Sequence, residues 1–110
     1  MNEITYDELE EMVSYRRNVT GVSHTLFISP KGKTRHAPRI KIATDCRTID
    51  PRRKVATIAI ADGSVVAGKI DPRLLAQVRA FIAINRDVLE AYWNYKIDTD
   101  QLRKRLKRVP

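Results

Sequence analysis

The sequence predicts an α+β fold, in which an antiparallel sheet of three to four strands packs against one long helix, with short helices at both ends. Segments rich in β-branched residues alternate with turn sequences over residues 22–70, and a continuous helical pattern follows over 71–95. Short charged segments with few apolar residues stand at 1–18 and 99–108. With 110 residues, 43% of them hydrophobic, residues 1–110 are expected to form a single domain.

An acidic helix is predicted over residues 1–18. Thr5 and Glu8 have the spacing of a capping box, in which each side chain satisfies the backbone N–H of the other residue. Residues 1–15 contain five acids and no base, a charge of −5, and acids are favourable at the start of a helix. The polar segment 18–21, which ends in glycine, is expected to stop this helix.

Four segments carry strand patterns, namely residues 22–29, 38–43, 55–60 and 64–67. In the second segment Ile40 and Ile42 alternate with Arg39 and Lys41. This period of two predicts a strand with one face on the core and a basic face in water. The Asp62-Gly63 pair before the last segment predicts a type I′ hairpin, which needs a positive φ at both residues.

The long helix is predicted to begin at Asp71, with Pro72 at its first helical position. Its main apolar stripe should cover the sheet and consists of Leu74, Leu75, Val78, Phe81, Ile82, Leu89, Tyr92 and Trp93. Asn85 falls on the same stripe. Because a buried amide needs hydrogen-bond partners, we expect Asn85 to tie the helix to a loop.

A second stripe on this helix is formed by Ile84, Val88, Ala91 and Tyr95. The closing helix over 99–108, with Thr99 as its N-cap, is expected to cover this stripe with Leu102 and Leu106. The three aromatic residues Tyr92, Trp93 and Tyr95 could stack on a base or another ligand, but core packing is the expectation for them.

The formal charge of +8 is unevenly distributed along the chain. Residues 31–54 carry nine bases against two acids, a net +7, and residues 96–110 carry six bases against two acids, a net +4. Such segments favour polyanionic partners. The candidate polyanion-binding residues are Arg35, Arg39, Lys41, Arg52, Arg53, Lys54, Arg103, Lys104, Lys107 and Arg108. An acidic N-terminal helix lying over the basic strand would neutralise the first patch.

Three functions remain open at this level. The first is a noncatalytic binding module for nucleic acid or another acidic partner. The second is a protein-interaction component in which an acidic protein, or the acidic helix of a second copy in a homodimer, covers the basic patches. The third is a metal-independent ribonuclease using His36 as acid or base, with His24 as its only histidine partner.

Neither a cofactor nor a metal site is expected. The chain has one cysteine, Cys46, and its two histidines have no ligand spacing. No apolar run approaches 18 residues and no signal peptide is apparent, so we expect a cytoplasmic protein that does not enter the membrane.

The strand, the Asp-Gly hairpin and the long helix resemble a family of small bacterial proteins catalogued only as a domain of unknown function. Its members show a His/Pro-rich strand, a hairpin, a Gly-Lys/Asn-Leu-Pro segment, and a helix ending in His-Arg-Glu-Glu-Leu-Leu and Trp-Asn. The corresponding segments here are His36-Ala37-Pro38-Arg39-Ile40-Lys41, Gly68-Lys69-Ile70-Asp71, Ile84-Asn85-Arg86-Asp87-Val88-Leu89 and Trp93-Asn94. The resemblance spans roughly the last two thirds of the chain and is closer in the helix than in the strand.

The resemblance implies the same scaffold and a role in a toxin and antitoxin pair. Two strand histidines of the family are replaced here by Arg39 and Lys41, and the helix histidine is replaced by Asn85. Arginine and lysine neither ligate metals nor exchange protons near neutral pH in their usual states. The replacements therefore argue against a metal or acid/base role for these positions.

Overall fold

The sheet and its helices follow one another along the chain in a simple order. The computed structural model describes residues 12–32, 37–45 and 54–110. The elements are β1 (Val13–Tyr15), α1 (Arg17–Thr20), β2 (Leu26–Ile28), β3 (Arg39–Ala43), β4 (Val55–Ala59), β5 (Val65–Ala67), α2 (Pro72–Trp93) and α3 (Thr99–Arg105). All strands pair antiparallel with their chain neighbours in the order β1-β2-β3-β4-β5. The α+β class with one long helix is confirmed.

The predicted number of three to four strands is wrong, because the described residues already form five. The additional strand, β1, lies within the region predicted to be the N-terminal helix. Val13 pairs with Ile28 and Tyr15 with Leu26, so β1 extends the sheet at its edge. Residues 1–11, which contain the predicted capping box, lie outside the described residues. Over residues 13–15, pairing with β2 overrides the local helical pattern.

One face of the sheet forms the core with α2. Antiparallel register places Ile40 opposite Ile58 and Ile42 opposite Leu26 and Ala56, all of them buried. On α2 the buried side chains of Val78, Phe81 and Ile82 belong to the same cluster. Burying each large aliphatic or aromatic side chain contributes about 1.5–3 kcal/mol, which makes this interface the main source of stability.

The opposite face of the sheet was predicted to be basic and in water, and this is wrong for Lys41. The register places Phe27, Lys41 and Thr57 side by side, and all three are buried, with Lys41 only 5% exposed. Its Nζ donates to Thr57 Oγ1 at 3.5 Å. Arg39 is half-buried on the same face. Alternation separates the two faces of a strand, but tertiary packing decides which of them is in water.

The β4–β5 hairpin differs from the predicted type I′ turn. Gly63 has φ 72°, whereas Asp62 has no positive φ. The connection spans residues 60–64 and is closed by the Ser64 N–H, which donates to Asp62 Oδ1 at 2.9 Å. Hydrogen bonds from the side chain and the backbone of Ser64 lower the pKa of the Asp62 carboxyl. The Asx-type bond thus favours a longer connection than the two-residue turn.

The N-terminus of α2 agrees with the sequence, because Asp71 Oδ1 accepts from Arg73 N and Leu74 N at 2.7 and 3.4 Å. The boundaries predicted for the closing helix are wrong. Its N-cap is Asp98, which forms a capping box with Gln101, and the helix ends at Arg105 instead of 108.

The second apolar stripe of α2 was predicted to be buried by the closing helix, and it is buried only in part. Val88 and Ala91 pack against the core, whereas Ile84 and Tyr95 are 44% and 57% exposed. None of the helices in the described part of the chain has both the length and the hydropathy to span a bilayer.

Candidate functional site

The C-terminal segment is held against α2 by one buried amide. Asn85 is 1% exposed, and its Nδ2 donates to Phe81 O at 3.0 Å and to Lys107 O at 2.8 Å. Its Oδ1 accepts from Lys107 N at 2.7 Å. Asn85 therefore binds both backbone groups of Lys107, which explains why residues beyond Arg105 leave the helix. The prediction that Asn85 ties the helix to a loop is confirmed.

The same segment continues onto α1. Val109 N donates to Thr20 O at 2.9 Å, and the Val109 side chain is buried. Gly21, the C-cap of α1, has φ 79°, and a Cβ at this position would lie 2.1 Å from Val109 O. Only glycine allows both this backbone conformation and this close approach. The residues after α3 are thus bound to α2 on one side and to α1 on the other.

This docking brings together bases that are far apart in sequence. We define the basic surface as five exposed side chains from α1 and its preceding residue, from α3, and from the segment after it, namely Arg16, Arg17, Arg103, Lys107 and Arg108. Arg103 lies close enough to Tyr15, the residue before Arg16, for its charge to act on the phenol. Lys104 is partly neutralised by Asp100, whose Oδ2 lies 3.3 Å from its Nζ.

Arg16 and Arg17 were not among the predicted binding residues. In the sequence they are two adjacent basic residues after an acidic segment, a position that favours the negative end of a helix dipole. Their proximity to the C-terminal bases depends on the Val109–Thr20 hydrogen bond, which no local pattern predicts.

The predicted residues of the first basic patch are divided by the structure. Lys54 is exposed just before β4, whereas Arg39 is half-buried and Lys41 is buried. Lys41 is therefore withdrawn from the candidate phosphate ligands. The remaining members, Arg35, Arg52 and Arg53, lie outside the described residues.

The ribonuclease hypothesis depends on the two histidines, His24 and His36. His36 lies outside the described residues. His24 is half-buried, and its Nδ1 is 2.9 Å from Ala43 O. Because a carbonyl oxygen only accepts, Nδ1 carries the proton in this hydrogen bond. Within the described residues, no three side chains of His, Cys, Asp or Glu lie together in a way that could hold a metal ion.

Tyr15, which adjoins the basic surface, gives a pH-dependent prediction. Its ring is 8% exposed, and burial, followed by the effect of Tyr92, raises the pKa of the phenol despite the opposing charge of Arg103. A raised pKa in the folded state stabilises the protein below the ordinary value near 10, and this stability is lost as the pH rises through the folded-state pKa. Denaturant unfolding at increasing pH should therefore show a steeper alkaline loss for the wild type than for Tyr15→Phe. Equal slopes would contradict this assignment.

Comparison with known proteins bears on the hairpin and α2. Residues 49–94 match a domain of unknown function, DUF4160. The resemblance to a small family of unknown function is thereby confirmed for this part of the chain, whereas the strand counterpart at 36–41 lies outside the match. The DUF4160 segment includes Asn85, while α1, α3 and the basic surface lie beyond it. No curated protein and no solved structure matches the chain.

Proposed function

We propose that this protein is a noncatalytic module that binds nucleic acid through the basic surface. The observation that carries the proposal is the docking of residues 107–109 by Asn85 and Thr20, which places five exposed bases on adjoining segments. Arginine and lysine at fixed positions can contact successive phosphates, and the released counterions supply the free energy of binding.

The location of this surface also favours binding over a purely solubilising role. Charged side chains on a flexible backbone are sufficient to keep a protein soluble. Here, in contrast, the buried side chains of Asn85 and Val109 fix the backbone of the basic segment. Lys107 and Arg108 project from a backbone that is hydrogen-bonded at Lys107 and Val109. A backbone that is already fixed loses less conformational entropy when its side chains bind.

A salt titration tests the proposal. The affinity for a fluorescent single-stranded oligonucleotide is expected to fall linearly with salt on logarithmic axes. The double variant Arg103→Gln/Lys107→Gln should have a slope shallower by roughly 0.7 for each phosphate contact removed. The matched control is Lys69→Gln, which removes an exposed base next to β5, at the opposite edge of the sheet from β1, and should keep the wild-type slope.

Two outcomes would contradict the proposal. One is an affinity that does not weaken as salt rises, and the other is an unchanged slope in the double variant. The same samples show whether RNA is recovered intact, as a noncatalytic module requires. Cleavage by the wild type that His36→Ala abolishes would replace the proposal with the ribonuclease hypothesis. The toxin and antitoxin hypothesis rests on the family resemblance and stays a prediction.

A further inference from the structure

A cavity of about 300 Å³ lies where α2 ends and α3 begins. It is lined by apolar side chains including Ile97, by Tyr92 and Tyr95, and by the polar residues Asp98 and Thr99. Its volume is at the lower end of the range of small-molecule sites, about 300–1,000 Å³. Apolar and aromatic walls with a few polar groups at one edge suit a planar ring with hydrogen-bonding substituents.

Tyr95 occupies a backbone position that normally belongs to glycine. Tyr95 N donates to Tyr92 O at 3.2 Å, and Lys96 N donates to Ala91 O at 2.8 Å, which is the Schellman pattern of a helix C-terminus. Tyr95 is the left-handed residue of this motif, with φ 58°, and among the described residues it is the only one besides glycines with a positive φ. A side chain with a Cβ is strained in this conformation.

Most of the Tyr95 side chain lies outside the core. The Tyr95 side chain is 57% exposed, and its hydroxyl accepts from Gly32 N at 2.9 Å, so that the ring is held at the cavity instead of being buried. Backbone strain that persists without compensating burial is typical of functional positions.

The polar edge of the cavity consists of two hydroxyls and a carboxylate. The hydroxyls of Tyr92 and Thr99 lie 3.0 Å apart and bond to each other. Asp98 Oδ1 accepts from Gln101 N at 2.8 Å. A carboxylate oxygen beside aromatic rings is suited to the amino and imino groups of a nucleobase.

The cavity lies next to the basic surface. Thr99 and Arg103 are four residues apart on α3, so their side chains lie on the same face of that helix. Tyr15 is within electrostatic reach of both Tyr92, in the cavity wall, and Arg103. Proteins that bind single-stranded nucleic acids combine aromatic side chains with a row of basic side chains in this way.

We propose that this cavity takes one unpaired base of a single-stranded nucleic acid, stacked against the Tyr95 ring, while the neighbouring phosphates contact the basic surface. This inference rests on the proposed function, and it specifies the class of nucleic acid. A base in a duplex is stacked and paired, and it cannot enter a cavity in this way without being extruded.

Tyr95→Gly provides the sharpest test, because it removes the ring and also relieves the backbone strain. The thermal midpoint should be unchanged or higher than that of the wild type. The affinity for a single-stranded oligonucleotide, tested as both RNA and DNA, should fall about 5- to 150-fold, the range that corresponds to one lost stacking contact. Its salt slope should not change. Tyr95→Phe keeps the ring, serves as the conservative control and should retain most of the affinity.

An abasic oligonucleotide of the same length separates this inference from the proposed function. Wild type and Tyr95→Gly should bind the abasic strand equally, since only phosphate contacts remain. If Tyr95→Gly binds the normal strand as well as the wild type does, or if a duplex binds as tightly as a single strand, the base-binding cavity is refuted. Salt-dependent binding that still requires Arg103 and Lys107 would then leave the proposed function intact. If the wild type binds no oligonucleotide at low salt, both are refuted.

Discussion

Asn85→Ala is expected to lower the free energy of unfolding by about 2–3 kcal/mol, because it removes a buried amide that makes three hydrogen bonds. Without the amide, the N–H and C=O groups of Lys107 have two alternatives. They stay buried without hydrogen-bond partners, or the C-terminal segment moves away from α2 and exposes them to water. For a domain of this size, the loss corresponds to a fall of roughly 8–20 °C in Tm. Thermal and urea unfolding followed by circular dichroism measure it.

Asn94→Ala is the matched control on the same helix. The Asn94 side chain is exposed, and its Nδ2 donates to Glu90 O within the last turn. Removing it should change stability by no more than about 0.5 kcal/mol. If Asn94→Ala and Asn85→Ala lowered the free energy of unfolding by similar amounts, the role of Asn85 in tying the C-terminal segment to α2 would be wrong. A released C-terminal segment should also make the salt slope of oligonucleotide binding shallower, because Lys107 and Arg108 would no longer be held beside Arg16.

Gly21→Ala is expected to have the second large effect, also about 2–3 kcal/mol. The left-handed conformation of Gly21 costs a residue with a Cβ roughly 1–2 kcal/mol. In addition, the new methyl group would lie 2.1 Å from Val109 O and 2.8 Å from Val109 Cγ2, so the C-terminal segment must shift. The shift breaks the hydrogen bond from Val109 N to Thr20 O and exposes the Val109 side chain.

Gly63→Ala isolates the conformational part of that effect. Gly63 has nearly the same φ, 72°, but the nearest atoms to its Cβ would belong to the Arg79 side chain, with Cγ at 3.0 Å, and not to the backbone. We expect Gly63→Ala to lower the free energy of unfolding by roughly 1–2 kcal/mol. The additional loss in Gly21→Ala then measures the cost of the steric overlap with Val109. In a chain shortened by Val109 and Pro110, Gly21→Ala should cost no more than Gly63→Ala does. A full-sized loss in the shortened chain would show that the collision has no part in it.

These two positions show how stability and the proposed function depend on the same contacts. The place of the segment after α3 is set by hydrogen bonds to Asn85 and Thr20, by the buried Val109 side chain and by the contact at Gly21. Its bases take part in the basic surface only while these contacts hold. Variants that release the segment should therefore lose affinity for polyanions without any change in net charge.

The local features of the fold were largely predictable. The Asp71-Pro72 start of α2 and its buried stripe follow from short-range rules, because capping and helical spacing act over a few residues. The four segments predicted as strands contain β2 to β5 for the same reason. Asn85 was recognisable because an amide on an apolar stripe must find partners, although its partner, the backbone of Lys107, was not.

For the candidate site, the sequence predicted an excess of basic residues but not which of them lie together. Arg103, Lys107 and Arg108 were named from charge, but Arg16 and Arg17 were not, since their place depends on a contact between residues 20 and 109. Lys41 was assigned to water although it is 5% exposed. Charge patterns along a chain indicate which partner is favoured, but they do not indicate which charges share a surface.

The sequence by itself determined the α+β class, the start of the long helix, the apolar face of the sheet and the excess of base at the C-terminus. Tertiary structure alone decided that residues 13–15 form a fifth strand, that Lys41 is buried, and that Tyr95 stands strained beside a cavity. The physical reason is the distance along the chain over which each interaction acts. Capping, turn chemistry and amphipathic spacing act between near neighbours, whereas edge pairing, burial of a second sheet face and the docking of a terminal segment depend on residues brought together only by the complete fold.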